Sequence, residues 1–395
     1  MDSLILVVNL GSASRKYALF ANGASKASIN FEFEDGKVIA AVSYNGDKHK
    51  VNYDDTELSN VAKYVLPLLH QFEVLSESET IQAVGIRVVA PSKLFMKDQL
   101  LTPEIERALE FIELRAPLHV TTVLAELKHL EQYFSGTPII IISDSAFHST
   151  KTELAWRYGI DTELADKHEI LRFGYHGISV SSVAQKMQQQ NIMDQKVIVC
   201  HLGSGSSLTA LVDGKSSETT MGYTPLEGIM MATRTGNIDP SAALAIKREL
   251  GLSDDELESY LNKKSGLSGV SGSSNDIRQL LASEERGDKR ASMALGLFVY
   301  RIQLAIGQLA ASMNGVDAIV FTATIGERSA IIRSRIMDKL SYLGFVYDKA
   351  VNDATFEPQS AVNLAQANSK PIYVLATDEA TEIAQRCSQY LTKNL

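Results

Sequence analysis

Several features of secreted, membrane and nucleic-acid-binding proteins are scarce in this 395-residue chain. Its two cysteines, Cys200 and Cys387, form no metal-binding or redox spacing, so a reducing cytoplasm is the expected compartment. The formal net charge is −9, which argues against a general nucleic-acid or membrane-surface binder. An anionic substrate would therefore need local Arg and Lys side chains to overcome the overall negative charge.

Long apolar runs are scarce as well. The first residues, MDSLILVVNLGS, include an acidic residue and lack the basic start of a secretory signal, so no signal peptide is predicted. The most apolar long segment, residues 291–313, is interrupted by Arg301, Gln303 and Gln308, and predicts a buried helix rather than a membrane span. The length is enough for two domains, each with its own core.

Short apolar runs rich in β-branched residues recur along the chain and predict strands buried on both faces. They are LILVV, PIIII, VIVC, AIVF and IYVL. Helix starts lie between them, where Thr102-Pro103 and Asp239-Pro240 place an N-cap before a proline. This alternation predicts an α/β fold. The segment KKSGLSGVSGSSND, residues 263–276, predicts a loop that is either a flexible connection or a binding loop.

One turn occurs twice. Residues 7–20 read VVNLGSASRKYALF and residues 200–212 read CHLGSGSSLTALV, and the two Leu-Gly-Ser sequences begin 192 positions apart. Consecutive small residues let backbone N–H groups converge on an anion, and a phosphate is the favoured occupant. Neither a P-loop nor a dinucleotide fingerprint is present, because Gly203 and Gly205 lead into a strand rather than a helix.

Each turn alone is also compatible with an ordinary hairpin. The repeat favours an internal duplication in which two related domains face each other across a nucleotide.

Charged side chains follow several of the predicted strands, where α/β proteins bind ligands. Singly, each such residue is more often structural, but two or three cations with a few carboxylates and two Gly/Ser turns fit phosphoryl transfer. The residues are Arg87, Asp144, Arg172, His176, His201, Arg234, Glu327, Asp378 and Glu379.

Longer motifs make the pattern specific, and with them the chain resembles the acetate kinase family of the acetate and sugar kinase/Hsp70/actin superfamily, from Val7 to about Ala384. The motifs are APLH (116–119), AFH.T (146–150), YHG.S (175–179), HLG.GSSLTA (201–210), TTMGYTPLEGIMMATRTGNIDP (219–240), NKKSG (262–266), MNGVDAIVFTA (313–323), IGE (325–327) and TDE (377–379).

The resemblance implies two duplicated α/β domains of the actin-like ATPase (ribonuclease H-like) type, with the nucleotide in the interdomain cleft. The expected domains are residues 1–146 plus about 383–395, and residues 147–382. The implied activity is reversible transfer of the ATP γ-phosphoryl group to acetate, giving acetyl phosphate and ADP, with Mg²⁺ or alternatively Mn²⁺. A cytoplasmic homodimer without nucleic-acid or membrane partners is expected.

The resemblance also implies roles for individual residues. Arg87, Asp144, His176 and Arg234 would be catalytic. The acyl group would be bound by Arg87, Val89, Leu118, Tyr175 and Pro225. Asn9 and Glu379 would hold the metal, mostly through water. The nucleotide would be surrounded by Ser12, Ser14, Lys16, His201, Leu202, Gly203, Ser204, Gly205, Asp276, Ile277, Arg278, Thr324, Ile325, Gly326, Glu327 and Arg328.

Several positions depart from the family's usual motifs. Residues 86–92 read IRVVAPS where HRVVHGG is usual, which keeps Arg87 but removes both histidines and both glycines. Ser204 stands for Asn, Thr324 for Gly, and Tyr175 for Phe. These changes bear on acyl specificity and on nucleotide affinity.

The substrate class follows from charge. A carboxylate with a pKa near ~4 is already ionised at neutral pH and needs no general base. Asp144 is therefore interpreted as orienting Arg87 or metal-bound water, not as accepting a proton. Propionate or butyrate is the alternative acceptor, and a nucleotide-binding paralogue of low turnover is the alternative from another class. A sugar kinase is disfavoured, because it would need a carboxylate base for a neutral hydroxyl.

Overall fold

A computed structural model of the chain describes residues 3–11, 14–114 and 116–394, without the side chain of His119. They form two compact units, of which the first runs to Ala146 and resumes at Asp378, and the second is Phe147–Thr377. The assignment of residues 1–146 plus about 383–395, and of 147–382, to two duplicated ATPase domains stays a prediction.

The described residues form both helices and strands, and five consecutive strands come first. The strands are β1 (Leu4–Leu10), β2 (Ser14–Ala21), β3 (Ala24–Glu34), β4 (Lys37–Tyr44), β5 (Asp47–Tyr53), β6 (Ala83–Val88), β7 (Gln99–Leu100), β8 (Ile139–Ser143), β9 (Lys196–Leu202), β10 (Ser206–Val212), β11 (Lys215–Thr219), β12 (Ala318–Thr322), β13 (Val362–Asn363) and β14 (Ile372–Val374). The α-helices are α1 (Val65–Gln71), α2 (Pro103–Glu113), α3 (Pro117–Tyr133), α4 (Glu153–Trp156), α5 (Thr162–His168), α6 (Gly177–Gln189), α7 (Pro240–Leu250), α8 (Asp254–Lys263), α9 (Gly266–Ser271), α10 (Ile277–Glu285), α11 (Lys289–Ser312), α12 (Ala323–Arg328), α13 (Ala330–Met337), α14 (Lys349–Ala354) and α15 (Glu379–Asn394).

The first unit is built on an eight-stranded mixed sheet of order β5-β4-β3-β2-β1-β6-β8-β7 in the described part of the chain. The predicted strands LILVV and PIIII are confirmed as β1 and β8, and their apolar residues are buried. β1 pairs antiparallel with β2 but parallel with β6, and β6 pairs parallel with β8. The carboxyl ends of β1, β6 and β8 therefore meet at one edge.

The second unit repeats this arrangement in a six-stranded sheet of order β11-β10-β9-β12-β14-β13 among its described residues. β9 pairs antiparallel with β10 and parallel with β12, which pairs parallel with β14. The two repeated sequences both lie in antiparallel hairpins, β1–β2 and β9–β10. Parallel strands buried on both faces explain the continuous apolar runs.

Helix boundaries follow the N-cap signals. Thr102 accepts a hydrogen bond from the Ile105 backbone N–H at the start of α2, and Asp239 accepts one from Ser241 at the start of α7. The apolar segment 291–313 lies in α11 except for its last residue, Met313, which is the C-cap, and one face of α11 is buried in the core of the second unit. α11 passes the length and hydropathy test for a membrane span, but half of its apolar window is buried, as expected of a core helix.

The prediction of a loop over residues 263–276 is wrong in part, because α9 lies inside it. Composition favoured a loop, but Leu267 and Ser271 are buried and tertiary packing fixes a helical turn. Backbone N–H groups of Ser265 and Leu267 donate to the carbonyls of Thr233 and Met231, at 3.0 and 2.9 Å. The segment is therefore neither a free connection nor an open loop but a support for the chain around residue 231.

Candidate active site

Four of the predicted residues meet at the carboxyl edge of the first sheet. Asn9 lies near the end of β1, Arg87 lies near the end of β6, and Asp144 directly follows β8. Glu379 is the first residue of α15. We refer to Asn9, Arg87, Asp144 and Glu379 as the Arg87 cluster. The sheet register brings them together, because Arg87 pairs with Ile142 and Val88 with Ser143 in the parallel ladder.

The Arg87 guanidinium is held by two carboxylates on different elements. Its Nη2 donates to Asp144 Oδ2 at 3.0 Å, and its Nη1 donates to Glu379 Oε2 at 3.1 Å. Asn9 Nδ2 also donates to Glu379 Oε2, at 2.7 Å. The side chain of Asp144 is 1% exposed, whereas those of Arg87 and Glu379 are 17% and 19% exposed. The geometry fixes the direction of Arg87 and leaves part of it accessible.

Electrostatics keeps this arginine charged. Burial disfavours the guanidinium charge, but the carboxylates of Asp144 and then Glu379 outweigh it and raise the Arg87 pKa above its ordinary value. The hydrogen bond between Arg87 and Asp144 is the contact through which the predicted orienting role of Asp144 would act.

The oxygen donors of this cluster suit a hard divalent cation. Carboxylate and amide oxygens of Glu379, Asp144 and Asn9 are the donor types that Mg²⁺ prefers. Among the described residues no group of three or more His, Cys, Asp or Glu side chains has the arrangement of a complete metal cage. The residues present therefore supply oxygen ligands of the type that Mg²⁺ uses, but too few of them for a site made by protein alone.

The first Leu-Gly-Ser turn is closed by backbone bonding. The Gly11 N–H donates to the Ser14 carbonyl at 3.0 Å. Arg15 Nη1 donates to the carbonyls of Gly11 and Ser14, at 2.7 and 3.1 Å. Lys16 is exposed and pairs in register with Asn9. Ser12, predicted to contact the nucleotide, lies outside the described residues.

The contacts of Arg15 with the turn carbonyls were not predicted from the sequence, and only the structure shows them.

A second cluster lies at the carboxyl edge of the second sheet, around residues 201–205, which we call the phosphate turn. The rings of His176 and His201 stack at a centroid distance of 4.1 Å and an interplanar angle of 23°. His176 Nδ1 is 2.9 Å from Ser207 Oγ, and His201 Nδ1 is 2.7 Å from Ser179 Oγ. These bonds fix the two rings and leave each Nε2 on the opposite side.

His176 also has an unusual backbone. It is the N-cap of α6 with φ of +59°, a left-handed conformation that a residue with a Cβ seldom adopts. Strain of this kind is tolerated where the surroundings enforce it, and it concentrates at functional sites.

Glycines bring the phosphate turn close to the cationic side chains. A Cβ placed on Gly205 would lie 3.0 Å from His176 Nε2 and 3.5 Å from Arg234 Nη1. A Cβ on Gly203 would lie 3.3 Å from the Gly205 carbonyl oxygen. Ser204 is exposed at the tip of the turn, and its carbonyl accepts from the Ala232 N–H at 3.2 Å. The second unit thus gathers a backbone turn, a histidine and an arginine at one point.

The chain around Arg234 is clamped by the α8–α9 segment. Gly266 has φ of +63°, and a Cβ there would lie 2.3 Å from the Met231 carbonyl oxygen and 2.9 Å from the backbone N and O of Arg234. Thr233 Oγ1 donates to the Asn262 carbonyl at 2.8 Å. The motif NKKSG therefore positions Arg234 through backbone contacts.

The nucleotide turn predicted at residues 324–328 forms α12, directly after β12. Thr322 pairs in register with His201, so α12 begins beside the phosphate turn. Glu327 Oε1 accepts from the Thr377 N–H at 3.2 Å, and burial raises the pKa of Glu327. Thr324 is exposed, whereas Gly326 is buried against β12.

The other predicted nucleotide contacts are placed as follows and stay predictions. The side chains of Leu202 and Ile277 are buried in the hydrophobic core, so only their backbone is left to contact a nucleotide. Asp276 is the N-cap of α10 and accepts from the Arg278 backbone N–H and guanidinium. This hydrogen bonding from Arg278 lowers the Asp276 pKa. Arg328 donates to Glu357 at 2.7 Å.

The predicted acyl-binding residues divide between the units. In the second unit the buried Tyr175 donates its hydroxyl proton to the Tyr223 carbonyl at 2.6 Å, and the Pro225 carbonyl accepts from Arg234 Nη1 at 3.4 Å. In the first unit Val89 directly follows β6 and Leu118 lies in the first turn of α3, both partly exposed.

A polar network behind Tyr223 was missed from the sequence. Tyr158 donates to Glu227 and accepts from the Tyr223 N–H at 2.9 Å, and Arg172 pairs with Glu227 at 3.2 Å. These residues are far apart in sequence, so only the fold reveals that they fix the segment before Pro225.

Comparison with known proteins identifies the family of the chain. The sequence model of the Acetokinase family matches residues 4–385. An acetate kinase of Clostridium botulinum (strain Langeland, type F) is 38% identical over 399 residues, which cover 98% of this chain and 100% of the relative. The crystal structure of Porphyromonas gingivalis acetate kinase aligns with a TM-score of 0.86 at 31% identity, covering 98% of this chain and 100% of that one. A propionate kinase from Francisella tularensis aligns with a TM-score of 0.87 at 35% identity, covering 97% and 98%. With nearly full-length matches and the actin-like ATPase fold of these relatives, the chain belongs to the acetokinase family.

Proposed function

We propose that this protein transfers the γ-phosphoryl group of ATP to acetate, reversibly, giving acetyl phosphate and ADP. The observation that carries the proposal is the Arg87 cluster, in which a partly exposed guanidinium is oriented by two carboxylates at the carboxyl edge of the sheet. An anionic acceptor fits such a cation, and the curated relatives of this chain are acetate kinases.

Charge neutralisation is the main task of the protein in this reaction. Acetate and the γ-phosphate are both anionic, and acetate needs no base at neutral pH. Arg87 binds the acceptor carboxylate, and Arg234 neutralises the phosphoryl group in transfer. His176 Nε2 donates to the equatorial oxygens of that group. Asp144 acts by holding Arg87. Loss of one such preorganised donor costs on the order of 100- to 1000-fold in rate.

The nucleotide phosphates contact the phosphate turn in this proposal, and Lys16 is an additional cation for them. Asn9 and Glu379 are the residues that would hold Mg²⁺, mostly through water. When bound, the ion neutralises charge on the β- and γ-phosphate oxygens. The residues 324–328 border the nucleotide through the backbone of α12.

A short acyl chain is the preferred substrate. Because the Tyr175 hydroxyl is bonded to a backbone carbonyl, its ring presents the same surface as the Phe that is usual in the family. Propionate is a weaker acceptor in this proposal. It is the alternative substrate, because one of the solved relatives is a propionate kinase.

We also infer a cytoplasmic homodimer. α7 exposes apolar side chains, because none of its 11 residues is buried although it carries Leu244, Ile246 and Leu250. Ile246 and Leu250 lie four residues apart on one face of α7, where a partner subunit could cover them.

The test is acetyl phosphate formation from ATP, Mg²⁺ and acetate, trapped as the hydroxamate. We expect Arg87→Ala to lower kcat by at least ~100-fold with the fold retained. The control is Arg107→Ala, which removes an arginine with a largely exposed side chain from α2 and should leave kcat within about twofold. Near-normal turnover of Arg87→Ala would refute its role, and no acetyl phosphate from the unmodified protein would refute the function and favour a low-turnover nucleotide-binding paralogue.

A further inference from the structure

Ser143, the residue before Asp144, has both of its backbone polar groups held by one ion pair. Asp98 Oδ1 accepts from the Ser143 N–H at 3.0 Å, and Arg386 Nη2 donates to the Ser143 carbonyl at 3.0 Å. Asp98 lies just before β7, and Arg386 lies on α15. Elements distant in sequence thus converge on the residue that fixes the backbone of Asp144.

The pair itself is rigid. Arg386 Nε donates to Asp98 Oδ2 at 2.9 Å and Arg386 Nη2 donates to Asp98 Oδ1, which makes a two-pronged contact. The two side chains are 12% and 17% exposed, so solvent screens the charges little. Bidentate pairing of arginine with a carboxylate adds geometric precision to the bond energy.

Further bonds leave Asp144 little freedom. The Asp144 N–H donates to the Val88 carbonyl at 3.0 Å, and the Ser145 N–H donates to Ser143 Oγ at 3.1 Å. Ser143 Oγ in turn donates to the Phe95 carbonyl. Hydrogen bonds therefore fix the backbone on both sides of Asp144. Those made by the Asp98–Arg386 pair connect this backbone to α15.

The same helix carries Glu379, the second carboxylate on Arg87. Glu379 and Arg386 are seven residues apart, about two helical turns, which puts them on one face of α15. That face approaches β6 closely, since a Cβ on Gly85 would lie 3.1 Å from Ile383 Cγ2 and 3.3 Å from Cys387 Cβ. A shift of α15 against the sheet would move Glu379 and release Ser143 together.

We propose that Asp98 and Arg386 are a positioning pair, which holds Asp144 and Glu379 at the distance where both orient Arg87. The inference rests on the proposed function. Neither residue touches the reacting atoms, and both act through the Arg87 cluster. A misplacement of about 1 Å at a catalytic group costs on the order of 100-fold in rate, so the pair controls turnover although it lies outside the cluster.

A double-mutant cycle separates positioning from general stability. Arg386→Gln should lower kcat by about 10- to 100-fold in the unmodified background. In an Asp144→Asn background the same substitution should cost less than about threefold, because the group it positions is already lost. Each kcat is divided by the folded fraction measured by circular dichroism.

Matched variants complete the design. Arg335→Gln removes the comparable two-pronged pair with Glu284 in the second unit and should leave kcat within about threefold. If Arg386→Gln does not fold, Asp98→Asn replaces it, because the amide oxygen still accepts from Ser143 while the charge on Arg386 is unpaired. Arg386→Lys should recover part of the activity by keeping one donor and the charge.

Equal losses in the two backgrounds, or losses accounted for by the folded fraction alone, would overturn the positioning role while leaving acetyl phosphate formation intact. An unmodified protein that makes no acetyl phosphate would overturn the proposed function and this inference with it.

Discussion

Gly266→Ala should disable the protein through Arg234 without touching any reacting group. The new Cβ would lie 2.3 Å from the Met231 carbonyl oxygen and 2.9 Å from two backbone atoms of Arg234. Real Cβ atoms essentially never approach closer than 3.0 Å, so the chain around Arg234 must move by several tenths of an ångström or more. All three are backbone atoms. The Leu267 N–H donates to the Met231 carbonyl and the Met231 N–H donates to the Arg234 carbonyl, which holds both oxygens in place.

The magnitude has two parts. An Ala at φ of +63° costs roughly 1 kcal/mol net of the unfolded-state entropy that it removes. Overpacking against backbone adds about 1–3 kcal/mol, which gives a total loss of about 2–4 kcal/mol. Displacement of Arg234 by a sizeable part of an ångström should lower kcat by up to about 100-fold.

Gly251→Ala is the matched control. Gly251 has φ of +65°, in the same region as Gly266, but nothing lies within 4 Å of its added Cβ. It should lose about 1 kcal/mol in urea unfolding and keep kcat within about twofold. The assay is acetyl phosphate formation with urea unfolding of the same samples. If Gly266→Ala matches Gly251→Ala in both readouts, the clamp on Arg234 is refuted.

Further predictions concern the two units separately. Tyr175→Phe should keep acetate turnover, and the ratio of propionate to acetate turnover, within about fivefold, because the hydroxyl is bonded to the Tyr223 carbonyl. The loss of this hydrogen bond should lower the free energy of unfolding by about 1–3 kcal/mol. A rise in propionate use, measured by ADP release, would show that the hydroxyl enters the acyl pocket. Gly205→Ala should lower kcat at least about tenfold with little change in urea midpoint, because its Cβ would press on His176 Nε2 at 3.0 Å; unchanged kinetics would contradict this contact. Burial raises the pKa of Glu126, although the hydrogen bond from Tyr17 lowers that pKa. The contribution of Glu126 to stability is therefore present below its unfolded pKa of about 4.3 and is lost as the pH rises through the folded pKa. The urea midpoint should therefore fall less from pH 4.5 to pH 7.5 in Glu126→Gln than in the unmodified protein. An equal fall of the midpoint in both proteins would contradict this role of Glu126.

Local sequence patterns were enough to predict the strands and the first residues of the helices. Runs such as PIIII have one physical solution, a strand buried on both faces, and Asp239-Pro240 supplies both a cap and a fixed φ at the start of α7. The predicted strand ends then indicated that Arg87 and Asp144 lie in the site, because the last residues of parallel strands lie at one edge of the sheet.

Long-range contacts could not be predicted in this way. α9 is helical because Leu267 is buried and residues 231–233 accept its N–H bonds, neither of which is visible in a Gly/Ser-rich composition. Arg386 meets Asp98 across 288 positions of sequence, and no spacing rule connects them. The burial of the Leu202 and Ile277 side chains in the core was likewise not visible in the motifs that suggested these residues, and their nucleotide contact stays a prediction.

The central claim is that a cationic site accepts a short carboxylate, and a ranking of acceptors tests it most directly. ADP release would be measured with acetate, propionate, butyrate and glycerol at equal concentrations of ATP and Mg²⁺. We predict that acetate gives the highest kcat/KM, that propionate is on the order of 10- to 200-fold weaker for its added methylene, and that glycerol is inactive. Butyrate preferred over acetate, or turnover of glycerol with none of acetate, would contradict the account.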